Sequence, residues 1–143
     1  MMDLSVMMHA SPYHRWLGVE LTRQESDEIE IRLPYRPEFS GSDEATNIHG
    51  GIIATLADIT ACFAIINKTG SDAPNIDLHL DYLRMAPDRS DLIAVGRAAK
   101  VGRTIGVADV EIRTPEGRLV AIARSKVTTT TPGRDTLTKS ERS

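Results

Sequence analysis

One acid stands inside a long apolar run: Asp58, within His49-Gly50-Gly51-Ile52-Ile53-Ala54-Thr55-Leu56-Ala57-Asp58-Ile59-Thr60-Ala61-Cys62-Phe63-Ala64-Ile65-Ile66. The run is apolar on nearly every side, so the helix it forms is expected to be buried rather than amphipathic. A carboxylate in such surroundings is costly unless something compensates it. Gly50 and Gly51 leave the backbone N–H groups of the helix start bare and approachable, a place suited to developing negative charge. An acid and an anion-ready helix terminus on one element point to acyl chemistry.

The two features are too far apart to act on one small group within a chain. Eight residues of helix span about 12 Å, whereas an acyl carbon must lie within roughly 3.5 Å of its attacker and its oxygen about 3 Å from its donors. The features are therefore unrelated, or two such helices run antiparallel across a two-fold axis. In the second case Asp58 of one copy faces Gly50 and Gly51 of another, giving a homodimer with two equivalent interfacial sites. The Asp58 carboxylate could attack a thioester or activate water as a general base. In the competing reading it only hydrogen-bonds a neighbouring backbone group.

The elements that must hold these residues follow from pattern. Residues 9–17 read as a short helix, with Ser11 as cap, Pro12 at the first position and Gly18 at the end. Residues 19–22 and 28–33 alternate as strands around a polar turn. Residues 38–48 are a polar loop, and the apolar helix runs from about Gly50 to Asn67, closed near Gly70. Strands are expected at 76–83, 92–101, 104–113 and 119–130, the last two joined by the hairpin signal at 114–118. This order predicts an α+β domain at 1–131 in which an antiparallel sheet wraps one central helix. Residues 132–143 form a polar tail, expected to be mobile.

The chain has 143 residues and a net charge of -3, which gives no broad basic footprint for nucleic acid. The apolar helix comes nearest to a membrane span, but its acid and its Gly-Gly start argue against one. The first residues, Met1-Met2-Asp3-Leu4, lack the pattern of a signal peptide. A single cysteine, Cys62, permits no internal disulfide and no zinc site needing two thiolates. A cytoplasmic enzyme or binding domain is the expectation.

His49-Gly50-Gly51, then Leu56-Ala57-Asp58, then Asp77-Leu78 leading to Asp81-Tyr82-Leu83-Arg84, resembles the hotdog-fold acyl-CoA thioesterases. The branch it resembles most is the phenylacetate-degradation type within the 4-hydroxybenzoyl-CoA thioesterase superfamily, over residues 12–130. The resemblance implies a hotdog fold and hydrolysis of acyl-CoA to a carboxylic acid and coenzyme A. It also implies a dimer, usually paired into a tetramer, and no cofactor beyond the coenzyme A of the substrate. It assigns Asp58 as the catalytic acid and Gly51, with Gly50, as donors to the thioester carbonyl. It places His49 beside that carbonyl and Asn75 where relatives orient water. Relatives often carry Asn six residues before the motif histidine. Here that position is Asp43, with Asn47 as the nearer substitute.

Arg84, Lys100 and Arg103 are candidates for the phosphates of coenzyme A. Asp77, His79 and Asp81 share one strand face, but alternate strand residues splay at about 7 Å intervals, which suits a polar stripe better than a metal site. Cys62 reads as packing, its apolar neighbourhood favouring an inert thiol. Two other readings remain at this stage. A non-catalytic acyl-CoA binder would keep the pocket without turnover. A hydratase or dehydratase on the same fold would need a histidine base, and His49 is the only one near the helix.

Overall fold

The computed structural model describes residues 2–44, 47–72, 74–87 and 89–130, so the expected tail at 132–143 lies outside the described residues. The chain opens with two short helices where the sequence suggests one. α1 spans Leu4–Ala10 and α2 spans Pro12–Leu17. Pro12 forces the break: the residue before a proline is driven to extended backbone, and Ser11 sits at ψ 125°. Ser11 thus ends α1 and caps α2, its hydroxyl accepting from the His14 N–H. Gly18, at φ 78°, closes α2 in the left-handed region. Leu4 and Met8, four residues apart on α1, are fully buried, so this helix is part of the core.

The remaining elements are β1 (Glu20–Gln24), β2 (Ile29–Leu33), a 3-10 turn (Pro37–Phe39), α3 (Gly50–Thr69), β3 (His79–Tyr82), β4 (Leu92–Val101), β5 (Ile105–Arg113) and β6 (Leu119–Thr128). They form a six-stranded antiparallel sheet ordered β1-β2-β4-β5-β6-β3. α3 lies across its inner face, and Gly96 lets the sheet approach closely. A Cβ at residue 96 would come within 2.8 Å of the Thr60 methyl. The layout is the expected α+β wrap of a sheet around one helix. β3 is shorter than the predicted 76–83 because Ile76 and Asp77 leave the regular ladder. Their bonds go instead to Lys126, through the Ile76 N–H to its carbonyl and the Asp77 carboxylate to its N–H.

α3 departs from the sequence expectation. By length and mean hydropathy (20 residues, 1.6) it could cross a membrane, yet ten of its residues are buried within this fold. It is not buried all round, however. Gly51 and Asp58 are exposed, and Thr55 and Cys62 only half-buried. Their 4-3-4 spacing is one helical stripe. The sheet covers one side of α3 and the α1–α2 pair covers another, next to Phe63; of this stripe they touch Thr55 through the Tyr13 hydroxyl and border a cleft at Asp58 and Cys62, leaving the rest uncovered.

Candidate active site

Asp58 lines a cleft of about 350 Å³ between α3, the α1–α2 pair and the segment that follows α3. The cleft walls partly strip water from its carboxyl. That desolvation raises the pKa above the ordinary carboxylate value, and the charge of His14 pulls it back down. An acid of this kind is a stronger base than a solvated one when ionised. Cys62 shares the cleft, and burial, reinforced by the Asp72 and Asp58 carboxylates, pushes its thiol up to about 12. The thiol is therefore unreactive at neutral pH, in line with a packing role.

Asn75 stands in the same cleft, anchored through its amide nitrogen. Nδ2 donates to the Asp58 main-chain carbonyl at 3.2 Å and to Ser125 Oγ at 2.9 Å. Ser125 is fully buried and donates in turn to the Asp77 carbonyl at 2.6 Å. Both acceptors fix which end of the amide is nitrogen, so the amide oxygen is left to accept from elsewhere.

The start of α3 forms a second cluster. His49 caps the helix, donating its N–H to the Phe39 carbonyl at 2.7 Å and accepting the Ile52 N–H at 3.0 Å. Its Nδ1 accepts the Gly51 N–H at 2.8 Å. The amide assigned from the sequence to a substrate carbonyl is thus engaged by the neighbouring imidazole. The Gly50 N–H meets no acceptor among the described residues. Both glycines stand where a side chain would be tight. A Cβ at 51 would sit 3.0 Å from His49 Nδ1, and one at 50 would press on the Tyr82 ring at 3.3 Å. Tyr82, on β3, donates its hydroxyl to the Gly50 carbonyl at 2.8 Å.

Asn47, Gly50, Tyr82 and Arg84 line a cleft of about 340 Å³ beside this helix start. Asp43 lies elsewhere, in a cleft with Tyr35 and Arg89. Asn47, unlike Asp43, shares the cleft beside Gly50. The predicted site is split within one chain. His49, Gly50, Gly51, Asn47 and Arg84 gather at the helix start, while Asp58 and Asn75 gather further along α3. Arg103 joins neither group. It is exposed in the β4–β5 turn, and Lys100 is exposed at the end of β4. Asp77 is committed to Lys126, whose ammonium (2.7 Å) and N–H hold its carboxyl low. Among the described residues no three His, Cys, Asp or Glu side chains converge on a metal position.

Sequence reasoning missed two participants, His14 and Tyr82. Each acts across the fold on α3, and no local pattern pairs a residue on α2 or β3 with one on α3.

Comparison with known proteins adds an independent line. Residues 45–121 match the family model of the thioesterase superfamily. A Halobacterium salinarum protein provisionally named as an esterase is 36% identical over 106 residues, covering 70% of this chain and 68% of that one. The medium/long-chain acyl-CoA thioesterase YigI of Escherichia coli K12 is 28% identical over 134 residues, covering 82% and 85%. A solved thioesterase-superfamily structure superposes with a TM-score of 0.83 at 34% identity, covering 87% of this chain and 93% of its own.

Proposed function

Because the chain belongs to the thioesterase superfamily, we propose that it hydrolyses an acyl-CoA thioester, with Asp58 as general base and the start of α3 from a second copy as the electrophilic partner. The observation that carries this reading is the open stripe of α3. It presents an acid in a cleft and a helix start whose Gly50 N–H meets no acceptor among the described residues, at a separation no single carbonyl can bridge. A second α3 laid antiparallel against the stripe brings each acid to the other helix's start. Among the described residues, the four-residue edge strand β3 has no strand on its outer side, an opening through which two sheets could join.

In this arrangement Asp58 takes a proton from water, and the water oxygen attacks the thioester carbon. Asn75 accepts the water's other hydrogen through its amide oxygen. Charge developing on the thioester oxygen is received by the Gly50 N–H and by His49 Nε2–H. Gly51 sets the latter: by donating to Nδ1 it leaves the neutral imidazole's proton on Nε2. Collapse of the tetrahedral adduct breaks the C–S bond, and the thiolate takes up the proton Asp58 had removed. Water, one acid and fixed donors suffice, so no metal or redox group is required.

Arg84 is suited to a coenzyme A phosphate at the cleft beside the helix start; Arg103 would reach one only from another copy. The likeness to YigI, with the apolar wall of Met7, Ile59 and Phe63 in the Asp58 cleft, supports an apolar acyl group. Ile93, Val95, Val107 and Ile122 interrupt the charges of the outer sheet face, the surface we assign to pairing of dimers. A reducing, cytoplasmic setting, in which the single Cys62 thiol stays reduced, belongs to the same reading.

Mixed dimers test it. Asp58→Asn and Gly51→Pro chains, each inactive alone, are co-expressed with different tags and purified as heterodimers. One of the two sites then has both its acid and its donors, and thiol release should return. Verified heterodimers that stay silent would overturn the shared site.

A further inference from the structure

The cleft around Asp58 holds an ionisable group that the proposed reaction leaves unused. His14 is carried on α2, far from Asp58 in sequence, and lines the same cleft. Its ring is fixed from two sides. Nδ1 lies 2.9 Å from the Met8 carbonyl, which can only accept, so Nδ1 carries a hydrogen. The ring meets Phe63 of α3 edge-on, with centroids 5.9 Å apart at 64°. Proton gain and loss are thereby confined to Nε2. The other ionisable groups facing the cleft are Asp58 and Cys62 from α3 and Asp72 from the segment after it. Among the described residues lining the cleft, His14 is the only one able to carry positive charge.

We propose that His14 is a positioning residue for Asp58: the α1–α2 pair delivers an imidazole of fixed orientation into the cleft, where its charge keeps the carboxylate ionised and ready to accept a proton. Without that cation, the partial desolvation of Asp58 would stand uncompensated, and it favours the neutral form. The cation therefore opposes the cleft's own effect on the acid. The amino-terminal helices, on this account, belong to the catalytic apparatus as well as to the core. The inference rests on the general-base reading only for its effect on turnover, since the coupling between the two groups can be measured directly.

The test is a pair of titrations by NMR in the full-length protein, following the Asp58 side-chain carbon and the His14 ring. In His14→Gln the Asp58 midpoint should rise by about half a pH unit or more. The acid limb of kcat/KM should move upward with it, because more of the acid is neutral at a given pH. His14→Lys, which keeps a cation, should restore both. Coupling is reciprocal, so Asp58→Asn should lower the His14 midpoint by the same amount. That variant keeps the α1–α2 contacts and tests the proposal even if residue 14 tolerates no change. A purely structural His14 would lower stability and leave both midpoints and the acid limb in place. Unmoved midpoints overturn the proposal. Turnover retained in Asp58→Asn would overturn the general-base reading instead, while the reciprocal shift would still decide the role of His14.

Discussion

The two faces of α3 are built from similar residues and do opposite things. On one, Ile53, Leu56, Ala57, Thr60 and Ala64 are buried against the sheet, and even the Thr60 hydroxyl is satisfied internally, by the Leu56 carbonyl at 2.7 Å. On the other, Gly51, Thr55, Asp58 and Cys62 remain open in the single chain. There the Thr55 hydroxyl bonds the Gly51 carbonyl at 3.0 Å and meets the Tyr13 hydroxyl at 3.1 Å. The difference lies in what packs against each face rather than in composition. The packed face carries stability, and the open face keeps its polar groups available for chemistry and for a second chain.

This contrast can be broken at its strongest point first. Asp58→Asn should lower kcat/KM by about 10³-fold, on the order of 4 kcal/mol, while the melting temperature holds or rises. The second half follows from sign: a carboxyl whose pKa is raised on folding is destabilising when ionised, so removing its charge costs the fold nothing. A thiol-release assay beside a thermal melt checks both. On the packed face, Leu56→Ala should cost about 2–5 kcal/mol in urea unfolding, with turnover largely kept by the molecules that stay folded. An Asp58 variant that unfolds the protein, or a Leu56 variant that does not weaken it, would erase the distinction.

The mildest effect is in pH. Asp91, held low by the Tyr35 N–H and by Arg32, and Asp109, held low by Arg124, are depressed on folding. Their stabilisation is present above the usual carboxylate range near pH 4 and is lost as the pH falls below it. Asp58 runs the other way. Its contribution is present at low pH and lost as the pH rises through its folded value. Stability measured against pH should therefore fall more steeply on acidification in Asp58→Asn than in the wild type. Identical slopes would mean that Asp58 is not desolvated.

Much of this architecture is legible in the chain. Strand alternation, the Ser11-Pro12 start, Gly70 beyond α3 and the 114–118 turn place most elements in order, because each is local chemistry. The open face of α3 is not legible. It is made of Gly, Thr and Cys residues flanked by Ala54, whose hydropathy barely differs from that of a packed surface, so periodicity alone reads the helix as buried throughout. α1 is hidden for a related reason, since the spacing of Leu4 and Met8 covers too little chain to stand out. The individual members of the site, His49 to Gly51 and Asp58, are visible in their spacing. The bond from the Gly51 N–H to the His49 ring is not, because it depends on a side-chain rotamer. Nor is the pairing of His14 with Asp58, which only the folded chain creates.

Tyr82 stands on the edge strand and holds the first carbonyl of α3 through its hydroxyl. In the proposed dimer, a strand added along that edge would tug on the same phenol and so on the peptide linking Gly50 to Gly51. Assembly and alignment of the donors would share one lever. Quaternary structure would then act as a throttle on catalysis, with dilute, dissociated subunits lacking a complete site.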